Sequence, residues 1–510
     1  MNNDYLKINK LGVLKESGYQ VLTVKDEMRR NLIEKLEKGE EIFPGIIGYD
    51  DSVILELKNA VLSRHDFILL GLRGQAKSRI LRGLVNLLDE YIPVVEGSEI
   101  NDNPYAPISR DSLDKIEKHG DDTPITWLPR SRRYNEKLAT PDVSIADLFG
   151  DLDPIKAATK KLNYAHEGAM HFGIIPRTNR GVFVINELPD LQPRIQVGLL
   201  NILEEKDLQI RGFPIRIPLD ILIAFSANPE DYTNRGSIIT PLKDRIDSQI
   251  ITHYPRTIED GIRITQQEAW QERNFYGKKK APEIPYYFRE IVEHIAHEAR
   301  QSELIDQKSG VSARLSISCL EVLIGNAERR ALTTGAGQVR IRISDLQAII
   351  PAITGKIELV YEGEQEGVIN VARILIGKAI RQVFDKYFPI PRPSGKNRVE
   401  NLRPEFESVL SWFAGENLLS VDVLGDDKAY ISSLDKAKPL ETLAKKYFPT
   451  EYLKNDHDLA TVKEFILEGL HQNSFLSKFE SEGKATYKDL VESIFNGLPD
   501  DDDRESDLYA

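Results

Sequence analysis

The sequence predicts an α/β fold, a parallel sheet flanked by helices, followed by a mainly helical second half. Three observations predict it. Across residues 43–256, short apolar runs alternate with longer amphipathic stretches, the pattern of strands and helices in turn. A glycine-rich loop joins the first apolar run to a helix-forming stretch. Beyond residue 257, apolar residues such as Val371, Ile374, Leu375, Ile380, Val383 and Phe384 recur at helical spacing.

Taken in order, residues 1–42 are charged and carry a helical stretch over 26–38. The stretch Ile42, Phe43, Pro44, Gly45, Ile46, Ile47, Gly48 reads as a lead-in loop to the α/β region. Five runs of buried-strand length follow, at 67–70, 125–128, 182–185, 221–225 and 249–252. Two insertions interrupt them. The first spans residues 92–180. The second, 207–219, places Leu208, Ile210, Ile215 and Ile217 around a turn at Arg211 and Gly212, which predicts a β-hairpin. Residues 257–388 read as helical. Pro389, Pro391, Pro393 and Gly395 mark a linker over 389–400. A small, mainly helical domain is expected over 401–498, and an acidic tail over 499–510. There is no internal repeat.

The chain has 510 residues, enough for about three domains. A formal net charge of −13 argues against a nonspecific grip on nucleic acid, which needs clustered Lys and Arg. The one cysteine, Cys319, forms no internal disulfide and no cysteine-based metal site. The first ten residues lack the apolar core of a secretory signal. No run approaches the roughly 18 apolar residues of a membrane span. The expected location is cytoplasmic.

The chemistry begins after the run at 67–70. Gly71, Leu72, Arg73, Gly74, Gln75, Ala76, Lys77, Ser78 and Arg79 lead from a strand into a helix, the arrangement of a phosphate-binding P-loop (Walker A). Glycines let backbone N–H groups curl around phosphate oxygens, and the helix N-terminus adds partial positive charge. Lys77 can reach the β- and γ-phosphates and Ser78 can ligate Mg²⁺. Ala76 stands where the usual pattern has glycine, so a chance glycine-rich turn stays open as an alternative. A second apolar strand, from Gly181 to Ile185, ends in Asn186 and Glu187, resembling a Walker B element. Glu187 is placed to activate a water. Asn186 keeps an acceptor oxygen but not the charge of the usual first acid, so Mg²⁺ would rest largely on Ser78, water and phosphates. A buried strand capped by an exposed Glu is the bland alternative; the order, P-loop strand first and acid-tipped strand second at a spacing that suits one domain, tilts the balance to Walker B.

Asn228, at the end of the run 221–225 and before Pro229, could sense the γ-phosphate; an Asn–Pro turn would look the same. Arg245, or Arg235, could act as an arginine finger on a neighbouring subunit, against a simple ion pair within the chain. Arg314, at the start of a helix, is the candidate second sensor. His166 and His171 read as surface residues rather than metal ligands.

Together, the stretches from Asn179 to Leu188 and from Val197 to Glu205, with Phe43 to Gly48 and Asp147 to Asp153, resemble the ATPase (I) subunit of magnesium chelatase and its MoxR relatives. The resemblance spans roughly residues 40–330. It implies an AAA+ P-loop core, a helical lid and hexameric rings. It also implies a hairpin inserted in helix 2 within 155–180, a second hairpin before sensor 1, and a partner with a von Willebrand factor A domain. The implied cofactors are ATP and Mg²⁺, and the implied activity is a hydrolase that remodels protein complexes in a chaperone-like way. Ala76 and Asn186 depart from the family pattern at the phosphate–Mg²⁺ apparatus, which keeps open a scaffold that binds nucleotide and turns it over slowly or not at all. A sigma-54-type activator or a helicase is a third class; residues 390–510 show no basic recognition helix for it.

Overall fold

The computed structural model describes residues 5–160, 167–209, 216–229, 237–271, 273, 283–388, 404–415, 417–481 and 483–490. The chain divides into two compact units, Met1–Tyr254 and Pro255–Ala510.

The first unit is built on a five-stranded parallel sheet. Its strands are β1 (Phe67–Leu70), β2 (Tyr134–Leu138), β3 (Gly181–Asn186), β4 (Ile221–Ala227) and β5 (Ser248–Ile251), in the order β5-β1-β4-β3-β2. Every residue of β1, β3 and β4 is buried, which is why these segments are unbroken apolar runs. Alternate side chains feed two cores. Ile68, Phe183, Ile185, Ile223 and Phe225 pack with Ile195, Leu199 and Ile202 of the helix Pro193–Glu204. Phe67, Leu69, Val182, Val184 and Leu222 pack with Met28 and Leu32 of the helix Val24–Lys38, and with Val53 and Leu57 of Val53–Leu62. Thr23 caps Val24–Lys38 by accepting from the Asp26 N–H, and Gly39 ends it in the left-handed region. Glu27 anchors that helix through a buried bidentate pair with Arg133, both bonds 2.7 Å.

One strand differs from expectation. Residues 125–128 do not enter the central sheet. The strand Ile125–Pro129 pairs antiparallel with Tyr91–Val95 in a separate ribbon. The fifth place is taken by β2, whose Tyr-Asn-Glu-Lys-Leu sequence is only partly buried. An edge strand has one neighbour and tolerates polar residues, so it carries no apolar signature.

In the second insertion, Asp207–Gln209 pairs antiparallel with Arg216–Pro218; the expected turn at Arg211 and Gly212 lies outside the described residues. Within the first insertion, Gly150–Leu152 pairs with Met170–Phe172, bracketing the helix Pro154–Lys160. Asp102 organises the preceding stretch. Its buried carboxylate accepts from the hydroxyls of Ser98, Ser109 and Ser112 and from the N–H groups of Ile108 and Ser109.

The second unit is mainly helical. Its helices Tyr286–Gln301, Arg314–Thr333 and Val368–Tyr387 share one hydrophobic core with Pro404–Ala414, Pro439–Tyr447 and Asp456–Gln472. The segment 404–490 also contributes an antiparallel sheet in which Lys484–Asp489 lies between Leu419–Asp422 and Leu476–Ser481. Tyr287 packs on Phe465 and Phe448, and Phe388 stacks on Phe448. The expected domain boundary thus falls inside one compact unit. The linker 389–400 and the tail 499–510 lie outside the described residues. No helix among the described residues is long and apolar enough to cross a membrane.

Candidate functional site

The carboxyl ends of β1, β3 and β4 converge at one rim of the sheet, where open α/β sheets bind ligands. From β1 the chain turns through residues 71–76 into the helix Lys77–Gly83. Gly71 cannot carry a side chain: a Cβ there would meet the Thr252 hydroxyl at 1.9 Å and the Gln75 amide oxygen at 2.1 Å. Gly74 has φ +75°. Ala76 also lies in the left-handed region, with φ 57° and ψ 13°. That is the conformation for which glycine is the usual occupant, and an L-residue there costs about 1–2 kcal/mol.

Lys77 is buried, and its ammonium group donates to the carbonyls of Gly71 and Leu72 and, at 2.7 Å, to Asn228 Oδ1. Asn228 Nδ2 donates in turn to Glu187 Oε2 at 2.8 Å. Lys77, Asn228 and Glu187, from three separate elements, are therefore joined in one hydrogen-bonded row. Glu187 follows β3 with φ +56°, a turn that swings its carboxylate off the strand line. Asn186 ends β3 and accepts from the Ser226 hydroxyl at 3.0 Å. Ser78 and Arg79, on the first turn of the helix after the loop, are exposed.

The loop is braced from behind. Thr252 donates to Gln75 Oε1 at 2.7 Å, and Tyr254 donates to the Arg73 carbonyl at 2.9 Å. The Tyr49 hydroxyl is shared between the carbonyls of Gln75 and His253, and burial pushes its pKa well up. His253 Nδ1 faces the Tyr254 carbonyl at 2.8 Å, so that nitrogen carries the proton and Nε2 accepts from Ser52.

Arg245 has a partner outside this row. Arg245 ends the helix Thr240–Arg245 and pairs with Glu204 at 2.6 Å. Arg314 opens a helix of the second unit. His171 is exposed, with Arg177 Nη2 at 3.4 Å. Arg235 and His166 lie outside the described residues.

Comparison with known proteins gives the row a context. No protein-family model matches the chain. The chloroplastic magnesium-chelatase subunit ChlI of Nicotiana tabacum is 25% identical over 345 residues, 63% of this chain and 75% of that protein. ChlI of Nostoc is 24% identical over 328 residues, 60% of this chain and 81% of that protein. The chain is similar to the magnesium-chelatase I subunits over about three fifths of its length. A BchI–BchD magnesium-chelatase structure aligns at 20% identity over 64% of this chain and 98% of the matched one. Its TM-score of 0.34 is too low to bear on residue placement.

The motifs pick out Lys77, Asn228 and Glu187. They miss Tyr49, Ser226, Thr252 and Tyr254. Those residues act through single hydroxyls on partners far away in sequence, 177 residues for Thr252 and Gln75, and a lone Ser, Thr or Tyr carries no local pattern.

Proposed function

We propose that this chain binds Mg²⁺–ATP at the rim of β1, β3 and β4 and hydrolyses it to ADP and phosphate, driving changes in a partner protein. The observation that carries the reading is the hydrogen-bonded row Lys77–Asn228–Glu187. Lys77 now rests on two loop carbonyls and an amide oxygen. A phosphate oxygen outcompetes each of these three neutral acceptors, because bonds between ionised groups are about twice as strong. When Lys77 turns to phosphate, Asn228 loses one of its two partners and can orient toward the γ-phosphate. Glu187 then takes a proton from the attacking water. Ser78 fits a metal shell, being an exposed hydroxyl on the first turn of the helix, whereas the Asn186 oxygen already has a proton donor in Ser226. Mg²⁺, when bound with the nucleotide, supplies charge neutralisation on the phosphates. Arg245 would leave Glu204 to reach the nucleotide of a neighbouring copy in a ring, most simply a hexamer as in the family. A partner bearing a von Willebrand factor A domain, a MoxR-like remodelling role, a lid within 257–388 and a cytoplasmic setting complete the proposal.

A second reading, a nucleotide-gated scaffold with slow turnover, is favoured by the left-handed Ala76 and the uncharged Asn186. Steady-state ATP hydrolysis over a range of protein concentrations separates the two. We expect turnover that rises cooperatively with concentration and falls by about 10²–10⁴-fold in Glu187→Gln, with ATP binding retained. Tight binding without turnover, in wild type and variant alike, would select the scaffold.

A further inference from the structure

We infer that Ser226 fixes Asn186 with its amide N–H groups, rather than its carbonyl oxygen, toward the nucleotide, so that Asn186 binds a phosphate oxygen and not the metal ion. The inference deepens the nucleotide-binding reading above and rests on it.

β3 and β4 are parallel neighbours, and the pairing of Phe225 with Ile185 sets Ser226 beside Asn186. Ser226 is 1% exposed. Its hydroxyl has one proton to place. The Glu187 N–H points at Ser226 Oγ from 3.4 Å and occupies a lone pair, not the proton. Asn186 Oδ1, 3.0 Å away, takes that proton. Turning the amide over would set an N–H₂ group against Oγ and leave a buried hydroxyl proton without an acceptor, at a cost of about 1–3 kcal/mol. Proton count therefore orients the amide.

With Oδ1 engaged, Nδ2 is what Asn186 has left, and among the described residues nothing accepts from it. Asn186 as a whole is 9% exposed. An N–H₂ group cannot ligate Mg²⁺, a hard cation that takes oxygen ligands. It matches an anionic phosphate oxygen, to which a hydrogen bond is charge-assisted. An aspartate at the same place would act the other way, with one oxygen receiving the Ser226 proton and the second free for the metal shell. Among the described residues, no group of three or more His, Cys, Asp or Glu stands ready to hold a metal. The ion would therefore arrive with the nucleotide and rest on Ser78 and the phosphates.

Two affinities test this on the full chain: that of ATPγS in EDTA, and that of Mn²⁺ for the ATPγS-bound protein, read by electron paramagnetic resonance. Asn186→Ala should weaken metal-free ATPγS binding about tenfold, the loss of one hydrogen bond to a charged group, and leave Mn²⁺ affinity within about twofold. Ser226→Ala should show a smaller loss of the same kind, and Ser226→Thr, which keeps the hydroxyl, should restore it. Asn186→Asp should do the opposite, weakening metal-free ATPγS and tightening Mn²⁺. Weaker Mn²⁺ binding in Asn186→Ala with metal-free affinity unchanged would overturn the inference, and so would no change in either. If wild type binds no ATPγS at all, the nucleotide-binding reading itself falls, a result distinct from both.

Discussion

Two places in this molecule take charged and polar groups out of water, the rim of the central sheet and the interior of the second unit. In the second unit the partners are mostly backbone or fixed neighbours. Arg330 holds Asp345 and the Arg340 carbonyl, and Asp345 also accepts from Asn326 and from the Arg342 N–H. Glu464 accepts from the N–H groups of Ile343 and Ser344 and from the Tyr430 hydroxyl. Arg342 lies 4.1 Å over the Tyr430 ring. At the rim Lys77 also donates to two loop carbonyls, but Asn228 joins it to Glu187 through side chains alone. Groups bonded to an immobile scaffold hold a shape, whereas groups bonded to each other can change partners when an anion arrives.

The largest expected effect tests the rigid side of this contrast. Arg330→Ala leaves Asp345 buried and uncompensated, and should lower the unfolding free energy by about 3–5 kcal/mol in urea denaturation. A loss below about 1 kcal/mol would mean the network is hydrated and the contrast false.

Acid sharpens it next. Burial alone would raise the Asp102 pKa, but hydrogen bonds led by Ser109 and Ser98 carry it below the usual 3.8. Its contribution to stability is present above that value and is lost as pH falls through the depressed one. Burial raises the Glu464 pKa above 4.5 in spite of its donors. Its contribution is full below 4.5 and fades as pH rises through the raised value. Amide exchange should therefore speed at Ile108 and Ser109, relative to Ile343 and Ser344, as pH drops from about 5 to 3, after correction for intrinsic rates. Equal slowing at both sites would contradict the assignment.

The smallest effect belongs to the loop. Ala76→Gly relieves a left-handed alanine and should stabilise the chain by up to about 1 kcal/mol, part of the gain being offset by glycine's greater freedom when unfolded. A drop in melting temperature would show that the methyl group packs usefully.

Much of this was readable in the sequence, for identifiable reasons. β1, β3 and β4 announce themselves because a parallel sheet covered on both faces demands apolar runs, whereas the edge strand β5 shows only its Ile250 and Ile251 pair, of which Ile250 alone is buried. The run at 125–128 misleads because apolarity reports burial and not the sheet to which a strand belongs. β2 escapes because Glu136, bonded to Arg82 and Tyr134, serves an edge. Lys77, Asn228 and Glu187 follow from their places at strand ends. The orientation of Asn186 could not be read, because it depends on a hydroxyl on the neighbouring strand, 40 residues on. The sheet within 404–490 was also missed, since its strands alternate polar residues with few apolar ones, as in Lys484–Asp489.

The shared core of the second unit bears on how the protein can be dissected. Phe384 and Phe388 close the helix Val368–Tyr387 and its cap, and their rings lie against Phe465 and Phe448 of the segment beyond. A fragment cut after residue 388 to resemble the shorter chelatase subunits would carry these rings and Tyr287 bare to solvent. It would be prone to aggregate, and its behaviour would report an amputated core. Shortened versions should keep the sequence through residue 490, so that Ala485 and Tyr487 remain in the packing they now complete.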